Sequence, residues 1–155
     1  MKLVILRGPS GSGKSTISGH IWWNIIPKEW SVVHEADQFF TKTLGSGDTY
    51  KFNQTMLSKA HDWCRLNVER SMYVGENAIV ANTNMSLREI EPYIELADQY
   101  NYETEIWRTP GPWDPEILFQ RNVHNVPLEV LKRQIARYQP HAEEKEWSDL
   151  TIFNA

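Results

Sequence analysis

Gly8-Pro9-Ser10-Gly11-Ser12-Gly13-Lys14-Ser15 is the stretch on which the reading of this chain turns. It fits the spacing of a glycine, four residues and Gly-Lys-Ser without a mismatch. Before it, Lys2 to Arg7 is a short apolar run that reads as a strand. After it, Lys14 to about Pro27 reads as a helix, with Ile17, Ile21 and Ile25 four residues apart. In that setting the glycines let the backbone curl, so that successive N–H groups and a helix amino terminus converge on one point. Such a loop cradles phosphate. Lys14 is then expected to hold β and γ phosphates and Ser15 to ligate Mg²⁺, with Gly8, Ser10, Gly11, Ser12, Gly13 and Thr16 completing the donor site. The alternative is a glycine-rich turn carrying a surface lysine, and the strand-to-helix setting argues against it.

Working outward, Ser31 to His34 reads as a second strand, followed by a loop carrying Glu35-Ala36-Asp37. From about Lys51 to Met72 the positions Phe52, Met56, Ala60 and Trp63 share one face of a long helix, and Cys64 sits beside that face, where packing is its expected role. Ala78 to Ala81 is a continuous apolar run suited to a strand buried on both faces. Ser86 and Glu89 have capping-box spacing, and a helix follows them that contains Pro92. Tyr102 to Arg108 reads as a fourth strand, Asp114 to about Arg121 and Pro127 to about Tyr138 as two helices, and Leu150 to Phe153 as a last strand. Strands alternating with helices imply a parallel sheet with right-handed crossovers. The expected fold is therefore a three-layer α/β domain of the P-loop NTPase kind, with a mostly parallel sheet of about five strands. A helical lid falls at roughly residues 114–138 of a single domain spanning 1–155.

The 155 residues, 41% hydrophobic, suffice for one buried core. A single cysteine excludes an internal disulfide, no apolar run reaches membrane-spanning length, and the amino-terminal apolar stretch is too short for a signal sequence. A cytoplasmic setting is expected. The net charge of −4 argues against a broad nucleic-acid footprint. Positive charge is instead local: within Ile117 to His141, Arg121, Lys132, Arg133 and Arg137 stand against Glu129 alone.

Asp37 follows the second strand and so belongs to the carboxyl edge where such sheets bind ligands. A carboxylate there can take a proton from an acceptor hydroxyl, and it can equally cap the helix beginning at Gln38. The context of the phosphate loop favours the catalytic role. Arg121, Arg133 and Arg137 are candidate mobile cations for the transferring group. His124 reads as structural, and Trp107 and Trp113, beside prolines, as packing residues more than base-stacking ones.

Taken together, the chain resembles the polynucleotide-kinase-like branch of P-loop kinases. Glu35-Ala36-Asp37-Gln38-Phe39-Phe40 is similar to its acceptor-side segment, Asn82-Thr83-Asn84 to its motif after the third strand, and Arg121-Asn122-Val123-His124-Asn125-Val126-Pro127 to its lid. The resemblance implies an ATP and Mg²⁺ dependent kinase with Lys14, Asp37 and Arg121 as catalytic residues and Ser15 and Asp37 at the metal. It implies that Arg121 also closes on the nucleotide, and that the acceptor is the 5′-hydroxyl end of a polynucleotide. Phage relatives place an arginine at the position of Phe40, so recognition is expected to shift from charge to stacking, with Phe40, Asn82, Asn84 and Arg137 as acceptor contacts. A small-molecule kinase acting on a nucleoside, a sugar or a hydroxylated base is the alternative. A nucleotide-binding switch is the third reading, suggested by Asn82 standing where relatives carry an acidic residue nearby.

Overall fold

The computed structural model describes residues 1–24, 28–42, 52–122 and 125–148. Five strands form one sheet in the order β2-β3-β1-β4-β5, and every neighbouring pair is parallel. They are β1 (Lys2–Arg7), β2 (Ser31–His34), β3 (Asn77–Val80), β4 (Glu103–Arg108) and β5 (Lys145–Glu146). The sheet centre reads as expected for strands buried on both faces: Leu3, Val4, Ile5 and Leu6 of β1, and Ala78, Ile79 and Val80 of β3, are all buried.

Because strand side chains alternate, β1 feeds two cores. Leu3 and Ile5 pack with Val80 and Ile106 against Val68 and Met72 of α3 (Leu57–Val74) and Ile90, Tyr93 and Ala97 of α4 (Leu87–Gln99). Val4 and Leu6 pack on the opposite face with Ile17 and Ile21 of α1 (Lys14–Asn24) and with Trp107 and Trp147. These two layers and the sheet make the three-layer α/β architecture. Each fully buried aliphatic side chain contributes about 1.5–3 kcal/mol relative to exposure, so the strand that delivers the phosphate loop is among the most firmly held parts of the molecule.

The third long helix begins at Leu57, later than its periodicity suggests. Asn53 accepts hydrogen bonds from both Thr55 N and Thr55 Oγ1, at 3.0 and 2.6 Å, and starts a short 3₁₀ turn (Gln54–Met56) ahead of α3. Phe52 lies outside the helix and is more than half exposed. Ser86 caps the helix, its Oγ accepting the Glu89 N–H at 3.3 Å, while Glu89 Oε2 reaches one residue further back to accept the Met85 N–H at 2.9 Å. Pro92 lies within α4 and does not end it. The expected strand at Leu150 to Phe153 falls outside the described residues. The fifth strand is Lys145–Glu146, which pairs with Trp107 and Arg108 of β4.

Candidate functional site

Parallel strands send their carboxyl ends to one edge, and the residues singled out in the sequence follow β1, β2 and β3 there. The phosphate loop leaves β1 at Gly8, whose N–H bonds Thr83 O at 3.0 Å, joining it to the segment after β3. No larger residue fits at Gly8: a Cβ would stand 2.3 Å from Thr109 Oγ1 and 2.5 Å from Ser12 Oγ. Gly11 and Gly13 adopt φ of 80° and 105°, a backbone that favours glycine.

Two features suit this loop to a phosphate ligand. Ser12 Oγ is the one buried side-chain polar atom, among the described residues, without a hydrogen-bond partner, and such orphans call for a ligand or water. The space beside Gly13 is open, with nothing within 4 Å of a built Cβ. Ser15 and Thr16 are exposed at the head of α1. The Lys14 ammonium folds back onto the loop, donating to Gly8 O at 2.7 Å and Pro9 O at 3.0 Å. Burial pulls its pKa down to about 8, with the negative charges of Glu35 and Asp37 opposing. Lys14 follows β1 while Glu35 and Asp37 follow β2, so the cation and the two carboxylates share one edge of the sheet.

Asp37 is half-buried in the turn ahead of α2 (Gln38–Lys42). That turn is tied to β3 by Asn82, whose Oδ1 accepts the Ala36 N–H at 2.7 Å, while its Nδ2 donates to Tyr93 Oη at 3.4 Å. Asn84 is almost fully buried. Its Nδ2 donates to Leu6 O at 2.7 Å and its carbonyl accepts Arg7 Nε at 2.7 Å, which leaves it joining two strand ends and not facing a ligand groove. Phe40 is fully buried with Ala36, Phe39, Ala60 and Cys64, and its ring lies 5.5 Å from Phe39 and 5.0 Å from Phe52. The stacking role expected of Phe40 is thus not open to that ring in this structure: one turn of α2 points it into the core.

Helix α5 (Pro115–Arg121), capped by Asp114, ends against the phosphate loop: a Cβ on Gly11 would stand 2.8 Å from Leu118 O and 3.3 Å from Asn122 N. Arg121, exposed on that last turn, is thereby carried to the rim of the loop. Helix α6 (Leu128–Ala136) follows, and Arg137 just beyond it pairs with Glu89 at 3.2 Å. Val123 and His124 lie outside the described residues. Trp107 is buried, edge-on to Trp147 at 5.1 Å, and Trp113 stacks under the Arg108 guanidinium at 4.4 Å, so both tryptophans pack.

Three participants gave no signal in the sequence. Arg7 is fully buried at the end of β1, donating to Asn84 O and Met85 O and pairing with Glu144 at 3.4 Å. Gln134 of α6 reaches Ser10 in the phosphate loop. His61, exposed on α3, lies within electrostatic reach of Glu89, Asp37, Asp62 and Arg137.

Among known proteins, residues 3–141 match a family described as an AAA domain. Human NEDD4-binding protein 2 is 31% identical over 144 residues, which cover 88% of this chain and 8% of that protein. Solved structures share the fold. A chain of the Pnkp1/Rnl/Hen1 RNA repair complex matches with a TM-score of 0.66 and 22% identity, over 88% of this chain and 43% of that one. A gluconokinase from Sinorhizobium meliloti matches with a TM-score of 0.58 and 14% identity, over 94% and 81%. The chain thus spans less than a tenth of the human protein and less than half of the repair-complex chain.

Proposed function

The chain belongs to this AAA domain family, and from that premise we propose that it transfers the γ phosphate of a nucleoside triphosphate, ATP by expectation, to a hydroxyl acceptor. The observation that carries the reading is geometric: the phosphate loop after β1, with its buried and unpartnered Ser12 Oγ, and Asp37 after β2 stand at the same edge of the parallel sheet. A donor-side cation and an acceptor-side carboxylate then face one reaction zone at the sheet edge.

In this reading the loop N–H groups and Lys14 bind and orient the triphosphate. A Mg²⁺ ion arriving with the nucleotide would be held by the oxygens of Ser15 and Asp37 and would neutralise phosphate charge. Asp37 accepts the proton of the acceptor hydroxyl and aims its oxygen at the γ phosphorus. Arg121, on the rim, swings onto the transferring group as the α5–α6 hairpin acts as a lid.

The acceptor we favour is a small hydroxylated molecule without phosphate, such as a nucleoside, a sugar or a hydroxylated base. Two observations support this class. The position that would supply a phosphate-gripping arginine is Phe40, which is committed to the core, and Arg137 is engaged by Glu89. Glu35, two positions ahead of Asp37, adds a negative charge that disfavours an anionic acceptor. The resemblance to a chain of an RNA repair complex, together with the order of the Asn82-Thr83-Asn84 and Arg121 motifs, keeps a 5′-hydroxyl polynucleotide end as the second reading.

The test is Asp37→Asn. Nucleotide binding should persist while transfer slows by about a hundredfold or more, the scale of a lost general base. Normal turnover with a lowered melting temperature would reduce Asp37 to a helix cap.

A further inference from the structure

Gln134 on α6 grips the phosphate loop with both ends of one carboxamide. Its Oε1 accepts the Ser10 backbone N–H at 3.0 Å, and its Nε2 donates to Ser10 Oγ at 3.2 Å. Just beyond, the helix is anchored on the other side of the sheet edge. Arg137 pairs with Glu89, Gln139 N donates to Met85 O at 2.8 Å, and Leu87 N donates to Gln139 Oε1 at 3.0 Å. Among the described residues, the hydrogen bonds from this rooted helix to the loop all come from Gln134.

Ser10 belongs to the end of the loop that serves the outer phosphates. The Lys14 ammonium lies against the carbonyls of the two preceding residues, Gly8 and Pro9, and a lysine at this position reaches the β and γ phosphates. Phosphate oxygens and the Gln134 amide oxygen are both acceptors, and one N–H cannot serve both fully. We propose that Gln134 is a specificity-determining residue that reads the terminal phosphate of the donor: it holds the Ser10 N–H until a γ phosphate takes it, and a diphosphate leaves the clasp closed. The inference rests on the phosphate-loop reading above. Its consequence is that α6 is released from the loop by the nucleotide able to react and not by its product. The clasp weakens triphosphate binding selectively, so ADP stays competitive with ATP in the wild type.

The experiment is a calorimetric titration of the whole chain with Mg·ATP and Mg·ADP, in the wild type and two variants. Gln134→Ala removes two neutral hydrogen bonds at a half-buried site, so ATP should bind about fivefold to tenfold more tightly, with ADP changed by less than about twofold. Gln134→Glu retains an acceptor for Ser10 but sets a negative charge beside the outer phosphate, so it should weaken ATP more than ADP. Equal shifts for ATP and ADP in both variants overturn the proposal, as does weaker ATP binding by Gln134→Ala, which would make the amide a ligand and not a competitor. If the wild type binds neither nucleotide, the phosphate-loop reading itself fails.

Discussion

Asn82 Oδ1 accepts the Ala36 N–H at 2.7 Å, so the residue after β3 fixes the backbone one position ahead of Asp37. The contacts of Asn82 are those of a brace, with Tyr93 and Cys64 on the amide side. Asn82→Ala should therefore slow transfer by about tenfold or more, because a misplaced base loses alignment steeply, with nucleotide affinity unchanged. Asn82→Asp keeps the accepting oxygen and should restore much of the rate. Loss of ATP binding in the alanine variant, measured by titration, would show that Asn82 serves the donor.

Phe40→Ala removes a fully buried ring from the cluster of Ala36, Phe39, Ala60 and Cys64. Denaturant unfolding should register a loss of about 3–5 kcal/mol. An unchanged stability with a raised acceptor KM would return Phe40 to the acceptor site.

Lys14 gives the nucleotide site a pH dependence of defined sign. Its folded value is lowered to about 8 from 10.5, so in the free protein it sheds its proton as pH rises through 8. Phosphate favours the charged form, so binding above pH 8 should take up a proton, and ATP affinity should fall from pH 7 to pH 9. Calorimetry in buffers of different ionisation enthalpy measures that uptake. The same group acts oppositely on folding: the unfolded lysine keeps its proton up to 10.5, so its contribution to the stability of the free protein rises between about pH 8 and 10.5. A flat proton count across that range would place the ammonium in water.

Arg121 sits at the end of α5 beside Gly11 and is exposed. As a lid cation it meets the transferring group most strongly when charge has moved toward it. Arg121→Ala should lower kcat more than it raises the ATP KM. A proportional rise in KM alone, in steady-state kinetics, would place Arg121 in ground-state binding.

Much of this could be read from the chain because local chemistry and tertiary structure agree there. An apolar run, a glycine loop and a helix beginning at Lys14 specify β1, the phosphate loop and α1 without help from distant residues. Ser86, Glu89 and Asp114 mark helix starts for the same reason. What escaped depends on partners far away in sequence. Arg7 looks like a solvent-facing charge at the end of a strand, and Glu144, the Tyr138 ring and the carbonyls of Asn84 and Met85 make its burial tenable. The two-residue β5 has no pattern of its own and exists by pairing with β4. Phe40 was read by analogy with an arginine position, whereas the five-residue α2 turns it inward. Gln134 carries no motif, and its meaning comes entirely from where α6 lies.

If phosphate moves from a nucleotide held at Lys14 to a hydroxyl activated by Asp37, the acceptor itself should become labelled. The most direct measurement incubates the protein with γ-labelled ATP and Mg²⁺ and a panel of nucleosides, sugars, mononucleotides and 5′-hydroxyl oligonucleotides, alongside Asp37→Asn. Label is expected on an uncharged small acceptor and lost in the variant, with oligonucleotides labelled poorly. Label released only as inorganic phosphate, at the same rate with and without every acceptor and undiminished in Asp37→Asn, would contradict it and leave a nucleotide hydrolase or switch in its place.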